Sequence, residues 1–226
     1  MPGNILITGG ASGLGRATAL AVTKEGGRPL VIDVNEPDAE VDHMRADLAD
    51  RGQAERAVRE LAERAGGLDG VVTAAGIDAC GRLEDIPAAD WERVIAVNLL
   101  GTASVIRAAL PYLRETAGTV VTVASTLGVR AVSDATAYCA AKFGVVGFTR
   151  ALAAELAGQV GVTLLIPGGM HTNFFEGREE KYRPGPDAKL SRPEDVAAAV
   201  VFALGRPGGC EVRELVVCAS TETSWP

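Results

Sequence analysis

The sequence predicts a single α/β domain, a doubly wound parallel sheet of seven strands with helices on both faces. Short apolar runs, typical of buried parallel strands, alternate with helix-forming segments along the chain. A length of 226 residues suits one domain spanning residues 1–226, and no repeat or long linker divides it. Because crossovers between parallel strands are right-handed, the alternation favours double winding, with a ligand across the carboxyl ends of the strands.

Each predicted element has a local signal. The strands are apolar or β-branched runs, of which the third is the weakest. They are residues 4–7, 29–34, 41–46, 69–73, 119–123, 162–166 and 214–217. The predicted helices are residues 16–25, 51–65, 91–114 and 135–157, with a last one ending near residue 204. The segment from Ser191 to Glu194 resembles a capping box with an early proline at the start of that last helix.

The turn after the first strand is Thr8-Gly9-Gly10-Ala11-Ser12-Gly13-Leu14-Gly15. A strand, a tight glycine turn and a helix N-terminus together suit a pyrophosphate, because backbone N–H groups and the positive end of the helix dipole face the anion. The spacing, Gly-x-x-x-Gly-x-Gly, differs from the commoner dinucleotide-binding fingerprint. A tight connection without a ligand is the alternative, and the flanking strand and helix favour the nucleotide.

Tyr138 and Lys142 lie four residues apart in Tyr-Cys-Ala-Ala-Lys, and Ser125 precedes the tyrosine by thirteen residues. Residues four apart share one face of a helix, so the ammonium would lie beside the phenol. A fixed cation favours the phenolate and lowers the pKa of the tyrosine towards useful acid/base chemistry. The pair is weak evidence by itself and strong beside a glycine-rich nucleotide turn.

These motifs resemble the short-chain dehydrogenase/reductase family, in its small single-domain type. The resemblance covers residues 4–217, and Pro167-Gly168-Gly169-Met170-His171-Thr172 resembles the family's Pro-Gly-x-x-x-Thr. The other motifs in the family's order and spacing are the glycine turn, Asn98, Ser125, Tyr138 and Lys142. The resemblance implies a Rossmann-like fold and hydride transfer between a nicotinamide cofactor and a secondary alcohol or ketone.

The resemblance also implies roles. Tyr138 is expected to be the general acid/base, Lys142 to stabilise the phenolate and hold the nicotinamide ribose, and Ser125 to hydrogen-bond the substrate oxygen. Asn98 is expected to support a water in a proton relay, with a polar residue on the helix surface or at a cap as the alternative. The expected cofactor-binding residues are Gly9, Ser12, Gly13, Leu14, Gly15, Asp33, Asp47, Leu48, Ala74, Ala75, Gly76, Tyr138, Lys142, Pro167, Gly168 and Thr172.

Asp33, at the end of the second strand, favours NAD over NADP. A carboxylate there would hydrogen-bond the adenosine ribose and repel a 2′-phosphate. Ser12 in the glycine turn and Val34-Asn35 after the strand are neutral where NADP-using relatives often carry a basic residue. The alternative is an aspartate that only caps a turn. Asp47-Leu48 resembles the family's contact with the adenine, although an exposed turn aspartate would look the same.

The sequence departs from the family pattern in two places. Thr73-Ala74-Ala75-Gly76 stands where Asn-Asn-Ala-Gly is frequent, so any bracing by the first asparagine depends on Thr73. A short substrate loop, residues 173–190, carries four basic side chains within an acidic protein, Arg178, Lys181, Arg183 and Lys189. These cations could suit a carboxylate or a phosphopantetheine-type substrate, and a solvated mobile lid is the equally favoured alternative.

Composition limits the partners. The net charge of −7 argues against nucleic acid, and we find no charge-poor stretch of ~18 apolar residues that would predict a membrane span. The first strand begins almost at once, so no signal peptide is expected, and the location is predicted to be cytoplasmic. The four cysteines lack metal-ligand spacing, so no metal is expected. The family resemblance implies a homodimer or homotetramer.

Two alternatives to an NAD-dependent enzyme stay open. An NADPH-dependent ketoacyl-type reductase is one, and Asp33 argues against it. A non-catalytic NAD-sensing module is the other, and it would not need Ser125, Tyr138, Lys142 and Asn98 together. A sugar epimerase or dehydratase of the extended branch is disfavoured by chain length. The expected partner is a small-molecule alcohol or ketone whose identity the fold does not determine.

Overall fold

The computed structural model describes residues 3–38 and 40–225. The strands there are β1 (Asn4–Thr8), β2 (Arg28–Asp33), β3 (Asp42–Arg45), β4 (Gly70–Thr73), β5 (Thr119–Val123), β6 (Gly161–Pro167) and β7 (Glu214–Val217). They form one parallel sheet in the order β3-β2-β1-β4-β5-β6-β7, which confirms the predicted doubly wound fold. The winding direction reverses between β1 and β4, so a crevice forms at their carboxyl ends.

The helices are close to the predicted ones, with two differences. They are α1 (Gly13–Lys24), α2 (Arg51–Ala65), α3 (Ala88–Ile95), α4 (Thr102–Thr116), α5 (Thr136–Glu155) and α6 (Pro193–Leu204). The last glycines of the glycine turn form the first turn of α1, so this helix begins three residues before its predicted start. The single helix predicted over residues 91–114 is wrong in detail, because a π-helical segment, Ala96–Gly101, separates α3 from α4.

Both faces of the sheet are buried, and neighbouring residues of one strand serve opposite faces. Leu6 packs in a cluster with side chains of α2 and α4, whereas Ile5 and Ile7 pack in a cluster with side chains of α1 and α6. All three are at most 1% exposed. This two-sided burial explains why the strands appear in the sequence as continuous apolar runs.

The predicted capping box before α6 is not formed. Arg192 is the N-cap, and its side chain makes no capping hydrogen bond, while Pro193 occupies the first turn as expected. Ser191 instead forms a parallel bridge with Met170, donating its N–H to Gly169 O at 2.9 Å and accepting from His171 N at 2.9 Å. The serine therefore anchors the loop after β6.

The continuous helical stretch Ala88–Thr116 corrects one expectation from composition. Within the described part of the chain it is long and apolar enough to cross a membrane, with a mean hydropathy of 1.6 over its best 18-residue window. More than half of that window, 56%, is buried inside the domain. The core helix of a folded domain meets the same criterion, so the finding is weak evidence for a span.

Candidate active site

The glycine turn lies at the carboxyl end of β1, against the loop that follows β4. Gly9 has a left-handed φ of 72°, and a Cβ there would lie 2.7 Å from Ala75 Cα. A Cβ on Gly15 would overlap the carbonyl oxygen of Gly9. α1 begins at Gly13, and the Ser12 side chain does not cap it. Bare backbone at a helix N-terminus fits the pyrophosphate of a dinucleotide.

Asp33 ends β2 beside the glycine turn. Its carboxylate accepts hydrogen bonds from Ala11 N at 3.0 Å and from Asn35 N at 3.0 Å. The second bond closes a turn, so Asp33 does cap a turn, but this is not its only contact. The first bond ties the glycine turn to β2. Leu14, by contrast, is buried in the apolar cluster under α1, which leaves only its backbone for a ligand.

Asp47 and Leu48 follow β3 and differ in exposure. Asp47 accepts from Ala49 N at 2.9 Å and pairs with Arg93 at 2.9 Å. Burial opposes ionisation, but these hydrogen bonds and the guanidinium charge hold the pKa of Asp47 below its ordinary value. Leu48 is buried against Gly101. The carboxylate therefore has a structural partner in α3 that the sequence did not indicate.

Thr8, not Thr73, braces the loop after β4. Thr8 Oγ1 accepts a hydrogen bond from Ala75 N at 3.2 Å. The Thr73 hydroxyl is buried and has no partner among the residues described, so the bracing considered for that position is absent. Ala74 packs on the cluster beneath α1. The small side chains keep this edge of the crevice open.

Asn98 lies in the π-helical segment and is 1% exposed, so the surface and cap alternatives for this residue are wrong. Its amide donates to Ile77 O at 2.8 Å and accepts from Ile77 N at 2.9 Å. A Cβ on Gly76 would lie 3.6 Å from Asn98 Oδ1 and 3.8 Å from Lys142 Nζ. Asn98 thus fixes the loop after β4 at the point where Lys142 arrives. π-Helical segments are frequent at functional sites.

Tyr138, Lys142 and Ser125 converge beside this loop. Lys142 Nζ lies 5.6 Å from the centroid of the Tyr138 ring and donates to Val123 O at 2.8 Å. Ser125 Oγ accepts from Leu127 N at 3.1 Å, which sets the position of its hydroxyl. All three site side chains are at least nine-tenths buried. Tyr138 and Lys142 therefore share one face of α5, as predicted, and the loop after β5 supplies Ser125.

The electrostatics of the phenol differ from the expectation. Burial raises the pKa of Tyr138 above its ordinary value, and the Ser125 hydroxyl opposes the rise. Burial also lowers the pKa of Lys142, to about 8. Two further charges act on the phenol: Asp78 raises its pKa and Arg178 lowers it.

The loop after β6 faces the glycine turn. A Cβ on Gly13 would lie 3.4 Å from the Thr172 side chain, so the turn and this loop border the same space. Pro167 ends β6, and Gly168 N donates to Val217 O at 3.0 Å.

Glu222, near the end of the chain, anchors the same loop. Its carboxylate accepts from Gly169 N at 3.0 Å and from Ser224 Oγ at 2.7 Å. Ser224 Oγ in turn accepts a hydrogen bond from Thr126 Oγ1 at 2.7 Å, directly after Ser125. The tail therefore links the loop after β6 to the loop that carries Ser125, a contact that no sequence signal indicated.

The substrate loop, residues 173–190, covers the tyrosine. The Phe174 ring lies 5.6 Å from the Tyr138 ring, centroid to centroid. The Arg178 guanidinium lies 4.7 Å from the rings of both Phe174 and Phe175. It also forms a 2.9 Å ion pair with Asp78, in which both side chains are largely buried. Asp78 was missed at the sequence level.

A cavity of ≈ 740 Å³, which we call the substrate cavity, adjoins this loop. It is lined by residues 77–81, 85–87, 90, 93, 94, 174, 176–179, 181 and 182. Val94 and Phe174 of its lining also pack around Tyr138. A smaller cavity of ≈ 270 Å³ between α2 and α4 contains none of the site residues.

The geometry can be compared with known proteins. Residues 3–183 match the family model described as short chain dehydrogenase. The chain belongs to the short-chain dehydrogenase family. The matched range includes the glycine turn, Asn98, Ser125, Tyr138 and Lys142. These residues carried the family resemblance in the sequence, and they also form the site described above.

Proteins similar to this short-chain dehydrogenase include two reductases and an alcohol dehydrogenase. It is 34% identical to levodione reductase of Leifsonia aquatica, over 88% of this chain and 86% of that protein. It is 32% identical to a 3-oxoacyl-acyl-carrier-protein reductase of Thermotoga maritima, over 87% and 88%. The solved alcohol dehydrogenase of Thermococcus sibiricus, complexed with 5-hydroxy-NADP, superposes with a TM-score of 0.86 at 25% identity, covering 96% and 97%.

Proposed function

We propose that this short-chain dehydrogenase uses NAD to interconvert a secondary alcohol and a ketone, with Tyr138 as the general acid/base. The observation that carries the proposal is the meeting of buried Lys142 and Asn98 at Gly76, with the buried Tyr138 ring 5.6 Å from Lys142 Nζ. A module that only sensed a nucleotide would have no need to bury a phenol and an ammonium side by side. The printed names of the relatives, a reductase and an alcohol dehydrogenase among them, support the same reaction class.

The residues divide the work between binding and proton handling. A bound nicotinamide dinucleotide supplies the hydride acceptor or donor. The glycine turn and the N-terminus of α1 would hold its pyrophosphate, and Gly76 leaves room for it beside Lys142. The loop from Pro167 to Thr172 closes the other side of the same space.

Proton handling falls to the tyrosine. Its hydroxyl would give a proton to the carbonyl oxygen in reduction and take one from the alcohol in oxidation. Because burial raises the pKa of Tyr138, the phenol is protonated at neutral pH and suits reduction. Ser125 would hydrogen-bond the substrate oxygen and stabilise charge that develops on it. Oxidation should therefore accelerate as the pH rises.

The Tyr138→Phe variant tests the reaction. It is expected to lower kcat by roughly 10²–10⁴-fold, the usual contribution of general acid/base catalysis, with the affinity for NAD nearly unchanged. The measurement is nicotinamide reduction across hydroxysteroids, 3-hydroxyacyl thioesters, cyclic alcohols and polyols. Tyr112→Phe, on the remote helix α4, is the matched control. Equal turnover by wild type and Tyr138→Phe would favour the NAD-sensing module.

The NAD preference has its own test, and the cofactor in the Thermococcus sibiricus structure makes NADP the competing outcome. Because Asp33 places a carboxylate beside the glycine turn, kcat/KM with NAD should exceed that with NADP by about tenfold or more. Asp33→Asn keeps an oxygen that can accept from Ala11 N and removes the charge, so the ratio should fall towards one. Exposed Asp187→Asn is the control. A wild type that prefers NADP would contradict the assignment.

A further inference from the structure

Under the proposed function, a substrate reaches Tyr138 from the substrate cavity. Ile77, Val94 and Phe174 line this cavity and also belong to the apolar cluster around the tyrosine. Most of the remaining lining is polar or charged. The charges on this wall therefore decide which substrates can approach the phenol.

The basic side chains that line the substrate cavity are already paired with carboxylates. Each basic side chain that lines the substrate cavity forms an ion pair within the described part of the chain. The pairs are Arg93 with Asp47 at 2.9 Å, Arg178 with Asp78 at 2.9 Å, and Lys181 with Glu179 at 3.0 Å. Arg178 is the most restrained of the three, because its side chain is largely buried and lies against two phenyl rings. A guanidinium held in this way is poorly placed to leave its aspartate for an incoming anion.

The other two basic side chains of the substrate loop do not reach the cavity. Arg183 donates its Nε–H to the carbonyl oxygen of Arg178 at 2.7 Å, and neither Arg183 nor Lys189 lines the cavity. The sequence-based suggestion of a carboxylate or phosphopantetheine-type substrate rested on these cations. Their positions remove that support.

The carboxylates that line the substrate cavity include three that have no cation to pair with among the described residues. Asp85, Asp90 and Glu176 line the cavity, are exposed, and form no ion pair among the residues that the structure describes. Since the three cations are matched by three other carboxylates, the surplus gives the cavity a negative potential. That potential acts on a substrate before it reaches the phenol.

We propose that the substrate cavity selects uncharged alcohols and ketones and rejects anionic ones. This inference rests on the proposed function and narrows it. The surplus carboxylates Asp85, Asp90 and Glu176 are the specificity-determining residues, and they act by repelling a second negative charge on the substrate. Hydroxy acids and acyl thioesters of phosphate-bearing carriers are excluded on the same physical ground.

The test compares two molecules that differ only in charge, 3-hydroxybutanamide and 3-hydroxybutanoate. At low salt, kcat/KM for the amide should exceed that for the acid by about tenfold or more. The ratio should fall as salt is added, because the screening length shrinks from about 30 Å at about 0.01 M to about 3 Å at about 1 M. The kcat/KM for the amide should hardly change as salt is added.

A triple variant links the effect to the wall. Asp85→Asn, Asp90→Asn and Glu176→Gln together should raise kcat/KM for the acid and leave the amide unchanged. The control triple, Glu25→Gln, Glu63→Gln and Glu115→Gln, changes the net charge equally at exposed positions away from the cavity. It should leave the ratio as in wild type.

Binding separates this inference from the proposed function. Both compounds are also measured as ligands, through the fluorescence of Trp91, which packs in the same cluster as Phe174, in a Trp225→Phe background. If no alcohol of the panel is turned over but the amide still binds more tightly than the acid, only the proposed function is overturned. The inference is overturned if the acid binds as tightly as the amide or more tightly at low salt, or if the amide does not bind near its solubility limit. It is also overturned if the amide-to-acid ratio of kcat/KM is unchanged in the variant that replaces Asp85, Asp90 and Glu176.

Discussion

Replacing Lys142 with methionine is expected to stabilise the protein while removing most of its activity. Lys142 is 4% exposed, and its ammonium donates a hydrogen bond to Val123 O at 2.8 Å. Burial lowers the pKa of Lys142 from 10.5 to about 8, which corresponds to roughly 3 kcal/mol of desolvation cost in the folded state. Methionine has a similar length and no charge to bury. After about 2 kcal/mol is subtracted for the lost hydrogen bond from a charged donor, a net gain of about 1 kcal/mol remains.

The sign of the pH dependence follows from the same shift. Between about pH 8 and pH 10.5 the unfolded chain binds more protons at Lys142 than the folded one, so wild-type stability rises with pH in this window. Below it, both states are charged and the full cost of burial is present. The advantage of Lys142→Met should therefore be largest near neutral pH and disappear towards pH 10.5.

Thermal unfolding at ~pH 7 and ~pH 9.5, together with kcat/KM, checks this result. Activity should fall by roughly 100-fold or more, since the ammonium would no longer support the phenol and the cofactor ribose. Lys24→Met, an exposed lysine at the end of α1, controls for the loss of one positive charge. A variant less stable than wild type at neutral pH, or equally stabilised at both pH values, would show that Lys142 contributes structurally.

Replacing Gly15 with alanine is expected to abolish cofactor binding. The new Cβ would overlap the Gly9 carbonyl oxygen and lie 3.0 Å from Gly10 N. Both contacts are backbone, which cannot move aside as a flexible side chain can. The glycine turn must therefore open, and its N–H groups lose their orientation towards the pyrophosphate.

We expect the Kd for NADH to rise by about 100-fold or more in Gly15→Ala, because several hydrogen bonds to one anion are lost together. Titration of NADH fluorescence measures it. Gly208→Ala is the control, since a Cβ there meets nothing within 4 Å and its φ is not left-handed. Retained NADH affinity with correct folding by circular dichroism would show that the pyrophosphate lies elsewhere.

The sequence determined the fold and the proximity of the proposed catalytic residues for a local reason. Two-sided burial makes each strand a continuous apolar run, and the spacing of Tyr138 and Lys142 needs only helical geometry to bring them together. The glycine turn is equally local, because bare backbone at a strand–helix junction is encoded by adjacent residues. These features therefore appear in the one-dimensional pattern.

Medium-range features were predicted less well. The helix predicted over residues 91–114 did not include a π-helical segment, although Gly101 ends that segment. The segment forms where Asn98 bonds both backbone atoms of Ile77, a contact that the local sequence does not encode. The pKa of Tyr138 depends on how completely the phenol is buried, which the spacing to Lys142 does not encode.

The sequence by itself determined the sheet, the glycine turn and the proximity of Tyr138 and Lys142. Only the tertiary structure decided what surrounds them: the ion pair between Asp78 and Arg178 of the substrate loop, and the Glu222 contact that anchors the loop after β6. The physical reason is separation along the chain. Ion pairs and hydrogen bonds between residues tens of positions apart depend on the paths of several loops, and loop conformation leaves no periodic signal in the sequence.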